Sequence, residues 1–167
     1  MNYQSNKPYP EPQVERKNLE YAKLLLEDYA GRDGEDTAIH QYLYQHLLKD
    51  NELSDFALAM EHIAEVEMYH LSLLGKTIRL LGFHPVFGEY SSNKNFIFWN
   101  SSSVNYTNDL SEMILSDIKK EEGAIRRYKY HRSIIQDHYI KSLLTRIIED
   151  EEIHLTIFYS FYKQYCK

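Results

Sequence analysis

The chain has 167 residues, a formal charge of −6, 43% hydrophobic and 26% charged residues, and a single cysteine, Cys166. That profile predicts one globular domain with enough chain to bury a core, and its acidic balance argues against nucleic acid as a partner. One thiol excludes an intrachain disulfide or a four-thiolate metal site. The sequence contains neither a basic-then-apolar leader nor an apolar run of about 18 residues, so a reducing, cytoplasmic setting away from membranes is expected.

Residues 1–17 carry Pro8, Pro10 and Pro12 with few apolar residues, and read as an extended strap or a disordered tail. The following 150 residues, 18–167, are expected to form the folded domain. From Asn18 to Lys49, Leu24, Leu25, Ala38, Ile39 and Tyr42 recur with helical period. Gly31 and Gly34 interrupt this stretch, but it is read as one helix whose glycines allow close approach. Leu53 to Leu81 predicts a second helix with Phe56, Met60, Ile63, Glu67, His70, Leu74 and Ile78 on one face, stopped by Gly82 and Pro85.

Residues 83–106 are rich in Ser, Asn and aromatic side chains. So long a connection is uncommon inside a domain, unless the second helix must cross a bundle to reach the third. Asp109 with Glu112 predicts the capped start of a third helix running to Gln136. Asp137 then turns the chain into a fourth helix, His138 to Tyr165. Four long helices with short, long and short connections describe an all-α four-helix bundle.

A phrase of the form Glu-x-x-Ala-Ile-x-x-Tyr-x-Tyr occurs at 35–44 and again at 121–130, an offset of 86 residues. Glu-x-x-His-Leu follows each copy, at 67–71 and 151–155, an offset of 84 residues. Fixed-offset self-similarity marks an internal repeat, and Glu-x-x-His sets both side chains on one helical face. The apolar stripes place Glu121 with Ile114, Ile118, Ile125 and Tyr128, and Glu122 with Lys119, Arg126 and Lys129. By the same test Glu151 and His154 face inward with Leu144, Ile147, Ile148 and Phe158, and Glu152 faces out.

Glu35, Glu67, His70, Glu121, Glu151 and His154 are therefore the candidate metal ligands, and through the metals the candidate catalytic residues. Six such groups are costly to bury as free ions, whereas four carboxylates and two neutral imidazoles balance two divalent cations. That donor set suits iron or manganese. Tyr42 and Tyr128, on the same stripes, read as core tyrosines, with hydrogen bonding to the ligands as the alternative. Asp150 reads either as a solvated acid or as a partner that orients a ligand histidine. His40, His46, His62, His84, His131 and His138 have no acid at ligand spacing in the stripes and are expected at the surface or in loops.

On these phrases the chain resembles the ferritin-like superfamily, nearest its rubrerythrin and manganese-catalase-like branch. The resemblance runs through Tyr29 to Glu35, Gln41 to Gln45, Ala64 to Leu71, Glu121 to Ala124 and Asp150 to His154, and covers residues 18–162. It implies two bound metal ions, iron first and manganese as the alternative. Glu67 and Glu151 would bridge them, and Glu35 and Glu121 would be terminal or chelating. In bacterioferritins a methionine at the place of Met68 can ligate haem across a dimer axis; here a packing methionine is expected.

Three departures from the family pattern stand out: there is no rubredoxin-type cysteine module, Ala124 replaces a further glutamate, and no fifth helix follows the fourth. The implied function is a di-iron oxidoreductase acting on hydrogen peroxide or dioxygen with an external electron donor. The alternatives are a manganese catalase, an iron-binding, storage or ferroxidase protein, and a structural protein associated with a spore coat. A homodimer is expected, through Phe96, Phe98 and Trp99, because that loop has too much apolar surface to leave in water.

Overall fold

Asn18 opens the first helix by accepting from the backbone N–H groups of Glu20 and Tyr21, an ordinary N-cap. In the computed structural model, which describes residues 2–166, the helices are α1 (Leu19–Ala30), α2 (Glu35–Lys49), α3 (Ser54–Leu80), α4 (Leu110–Ile134) and α5 (His138–Tyr165). Met1 and Lys167, the outermost residues of the expected tail and domain, lie outside the described residues. Together α1 and α2 fill the place of one long helix, so the architecture is a ferritin-like helical bundle. None of its helices is long and apolar enough to cross a membrane among the described residues.

The single helix expected over 18–49 is broken. After Ala30 the chain doubles back against the last turn of α1: a Cβ on Gly31 would lie 2.5 Å from the Glu27 carbonyl oxygen, and one on Gly34 would lie 2.7 Å from that of Asp28. Only a residue without Cβ allows this approach. The glycines thus restart the helix instead of packing one helix on another. Glu35 becomes the first residue of α2, where a helix N-terminus favours negative charge.

Asp109 caps α4 by accepting from Glu112 N–H at 2.9 Å, and Asp137 caps α5 by accepting from Tyr139 and Ile140 N–H. Both agree with the sequence reading. Gly82, at φ +93°, ends α3 in the left-handed conformation.

The long crossover has structure of its own. A two-stranded antiparallel hairpin pairs β1 (Gly88–Tyr90) with β2 (Phe96–Phe98), and a 3-10 turn follows at Ser101–Ser103. Trp99 donates its indole N–H to Thr37 Oγ1 at 2.8 Å, and Phe96 packs on the bundle core. Of the three aromatic residues expected at a dimer face, Phe98 stays 69% exposed.

Apolar side chains gather in two clusters. One holds Leu25, Leu74, Ile78, Leu144 and Ile147; the other holds Phe56, Met60, Ile63, Ile114 and Phe158. Along α3 the pair Glu67 and His70 falls in the gap between clusters, and along α5 so does the pair Glu151 and His154.

Residues 2–17 run as a strap over this gap. Arg146 of α5 donates to the carbonyls of Lys7 and Ser5, both at 2.8 Å, and Glu15 N–H donates to Asp137 at 2.6 Å. These contacts lay the segment against α5 and its N-cap.

Candidate metal centre

The bundle brings the six expected side chains together: Glu35 from α2, Glu67 and His70 from α3, Glu121 from α4, Glu151 and His154 from α5. All are buried, none more than 4% exposed. They form two groups, Glu35, Glu67, His70 and Glu151, and Glu67, Glu121, Glu151 and His154, each offering ligand atoms within 4.8 Å of one another. Glu67 and Glu151 belong to both groups, the arrangement that two carboxylates shared between two ions require.

The imidazoles are aimed inward through Nδ1. That of His70 lies 2.8 Å from Glu67 and 3.2 Å from Glu151, and that of His154 lies 3.1 Å from Glu67 and 3.3 Å from Glu151. Across the bundle, Tyr42 donates its hydroxyl to Glu121 and Tyr128 donates to Glu35. The internal repeat is thus closed by a reciprocal pair of bonds between α2 and α4.

Without cations the cluster neutralises itself. Burial and then the charges of their glutamate neighbours push the carboxyls of Glu35 and Glu121 well up. Burial also opposes charge on Glu151, but hydrogen bonds from His154 and His70 outweigh it and hold that carboxyl low. His154 is correspondingly raised to about 10, against its own burial, by Glu67 and Glu151. Glu151 Oε1 has no partner beyond His70 Nδ1, 3.2 Å away. Four carboxylates and two imidazoles converging on one buried centre are a donor set that fits two divalent cations such as manganese or iron.

Asp150 is fully buried and not solvated: it accepts from His70 Nε2 at 3.0 Å and from Arg146 at 2.5 Å. Glu122 and Glu152 point outward, bonded to Tyr159 and Lys129. Met68 is 52% exposed on α3.

His131 departs from its expected surface place. It is buried, with Nδ1 2.7 Å from Asp28, and Arg127 donates to the same carboxylate at 2.8 Å. Arg127 and His131 stand six and ten residues after Glu121; Gln41 and Gln45 stand six and ten after Glu35 and grip buried Asp117 in the same way. Comparing those positions of the repeat could have found the cluster. The strap residues touching the histidines, Tyr3 and Tyr9, carry no such signal in sequence.

Glu35, Glu67, Glu121 and Glu151 share a cavity of about 10 Å³ that is also lined by Ala38, Ala124, Lys120 and Asp33. That is room for about one water-sized molecule. Asp33, Lys120 and Arg127 also line an outer groove of about 860 Å³, and Lys120 pairs with Asp33 at 3.6 Å where the two meet.

The sequence profile described as Rubrerythrin matches residues 30–162. The chain belongs to the rubrerythrin family. Among its relatives, a probable manganese catalase of Clostridium acetobutylicum is 31% identical over 163 residues, covering 87% of this chain and 71% of that protein. A bacterioferritin of Desulfovibrio desulfuricans is 30% identical over 125 residues, covering 72% of this chain and 64% of that protein. In three dimensions this rubrerythrin-family chain superposes on a manganese catalase from Anabaena PCC7120 with a TM-score of 0.85 at 24% identity, covering 100% of this chain and 82% of that one. That likeness speaks to the fold. The Desulfovibrio desulfuricans bacterioferritin superposes with a TM-score of 0.70 at 26% identity, covering 88% and 82% of the two chains.

Proposed function

We propose that the chain is a dimetal oxidoreductase of hydrogen peroxide, with two manganese ions as the first choice and two iron ions as the second. The observation that carries this reading is the pair of ligand groups sharing Glu67 and Glu151 beside a cavity that admits one small molecule. Iron ranks first on the sequence alone. Manganese is preferred here because the relative sharing 31% identity over 87% of the chain is a probable manganese catalase. Dismutation of two peroxides to two waters and one dioxygen also balances without an outside electron donor.

When bound, such ions supply Lewis acidity and redox equivalents to a small oxygen substrate. The chain's own residues do the rest. Glu67 and Glu151 would be shared between the ions, with Glu35 and His70 completing one site and Glu121 and His154 the other. Tyr128 and Tyr42 fix the carboxylates of Glu35 and Glu121 so that these need not reorganise. Ala38 and Ala124 leave space where longer side chains would fill it, and the Lys120–Asp33 pair narrows the mouth against larger solutes. The apolar clusters at either end keep bulk water away.

Oxygen evolution from peroxide tests this. Manganese-loaded protein with about two ions per chain, as a carboxylate-bridged pair requires, is expected to evolve dioxygen, and iron-loaded protein to evolve none. The bacterioferritin relative favours a second reading, iron handling. Ferroxidation by iron-loaded protein in a large hollow assembly, with manganese-loaded protein inert, would select it. A dimer on sizing accords with the first reading, and exposed Phe98 is the residue we assign to its face.

A further inference from the structure

Each histidine of the centre turns Nδ1 toward the carboxylates and Nε2 away from them. A neutral imidazole that binds metal through Nδ1 must carry its proton on Nε2, and whatever accepts that proton fixes tautomer and ring orientation. For His154 the acceptor is the backbone carbonyl of Tyr3, at 2.9 Å. For His70 it is Asp150, at 3.0 Å, whose same oxygen also accepts from the hydroxyl of Tyr9. Tyr9 Oη stands 3.3 Å from His70 Nε2 itself. Both acceptor systems therefore involve the N-terminal strap.

The strap is anchored to do this. Asp150 takes Ser5 N–H at 2.7 Å besides Arg146 at 2.5 Å, and Arg146 reaches back to the Ser5 and Lys7 carbonyls. The Arg146 guanidinium lies 4.0 Å from the centre of the Tyr9 ring, and Tyr69 meets that ring edge-on at 4.8 Å. A segment that only covered apolar surface would not need its backbone carbonyl on one ligand histidine and its phenol on the partner of the other.

We propose that residues 3–9 are a working part of the metal centre: the Tyr3 carbonyl positions His154, Tyr9 positions His70 through Asp150, and strap docking and metal binding stabilise each other. The inference rests on the dimetal reading above. His70 and His154 fall in different ligand groups, so the two ends of the strap serve different ions. Linkage makes the coupling reciprocal.

Manganese(II) titration against a chelator, on the full chain and its variants, reads this out. Tyr9→Phe keeps the ring and removes the hydroxyl. It should weaken one ion by about tenfold to a hundredfold, the range for partners of metal-bound histidines, and leave the other unchanged, with the helical content intact. In cobalt(II)-substituted protein it should shift the ligand-field bands of one site only. Deleting residues 2–5 should weaken the other ion as well. Conversely, the Ser5 amide should exchange hydrogen more slowly once manganese(II) is bound.

Should Tyr9→Phe bind both ions as tightly as the parent, with Ser5 exchange unchanged by manganese, the strap is a cover only and the inference is overturned. If the deletion fails to fold, Tyr9→Phe and the exchange measurement decide alone. A parent chain that binds neither manganese nor iron would instead overturn the dimetal reading, and the inference with it.

Discussion

The hydroxyl of Tyr42 on α2 donates to the carboxylate of Glu121 on α4, across the bundle and 79 residues along the chain. Tyr128 returns the bond to Glu35. Removing either hydroxyl leaves a buried carboxylate free to turn. Tyr42→Phe should weaken the ion that Glu121 and His154 serve, and Tyr128→Phe the ion that Glu35 and His70 serve, each by about tenfold to a hundredfold. Two-site metal titration of both variants checks this, and loss of the same ion in both would refute it.

Glu121 and Glu122 are adjacent yet occupy opposite surroundings. The first is 2% exposed among the candidate ligands; the second bonds to Tyr159 on the outer face. One helical step turns a side chain by about 100°. Glu121→Ala should lose at least one ion and most turnover. Glu122→Ala should keep both ions and change stability by about 0.5 kcal/mol or less, as surface substitutions do. Metal analysis of the two variants decides the register of α4.

The buried cluster of candidate ligands was legible in the sequence because the repeat records inward-facing polar residues directly. A Glu inside an apolar stripe is costly to bury, and two copies that keep one at the same phase are the pattern expected of a cation site. Caps such as Asp109 and Asp137 were equally legible, being local. What was not legible depends on contacts between distant segments. Gly31 and Gly34 are a local exception: the Glu27 and Asp28 backbone that crowds them lies just upstream in the chain, but an apolar stripe that keeps its helical period on both sides of the turn hides the break. His131 looked like a surface histidine because its partner Asp28 is 103 residues away. Proline-rich strap residues carry no periodicity, so nothing in their spacing tied Tyr3 and Tyr9 to the histidines.

Metal binding should stabilise the fold. Without metal, burial and then the charges of Glu67 and Glu151 push the carboxyls of Glu35 and Glu121 well up, a cost that bound cations would relieve. Ions that bind the native state alone add about 4 kcal/mol at a thousandfold excess over Kd. The melting temperature of verified metal-free protein should therefore rise on adding manganese(II) or iron(II), and the rise should vanish in a His70→Ala, His154→Ala double variant. An unchanged melting curve in the parent would sink the idea.

His131 should make stability fall in mild alkali. Its burial opposes charge, but bonds to Asp28 and Glu27 outweigh this and raise it to about 9, against roughly 6.5 in an unfolded chain. A group raised on folding contributes fully below its unfolded value and loses that contribution as pH rises through the folded one. The stability gap between parent and His131→Ala, from urea unfolding, should thus be widest near pH 6 and shrink by pH 10. A gap that stays constant would mean that His131 acts through packing alone.

Asp117 predicts the opposite kind of substitution, one that stabilises. Gln41 and Gln45 both donate to its Oδ1, at 2.6 and 3.0 Å, while its Oδ2 and the Gln45 Oε1 have no hydrogen-bond partner. Arg127 and His131 hold Asp28 by charge; the glutamines at the matching positions cannot do so for Asp117. Burial accordingly pushes its carboxyl up to about 7, with Gln45, Gln41 and the nearby Lys120 opposing only in part. Between the unfolded value near 3.9 and about 7 the folded chain binds the extra proton, so stability falls as pH rises across that window. Asp117→Asn keeps the shape and the acceptor, puts an N–H donor where an unpartnered oxygen stands, and has no proton to lose. Relative to the parent it should be near neutral at pH 4, gain stability progressively up to pH 7, and stay more stable by a constant amount above that. Unfolding curves at pH 4, 6 and 8 read this directly. A variant less stable than the parent at pH 8 would mean that the Asp117 carboxylate has a cation or water partner which the asparagine cannot replace.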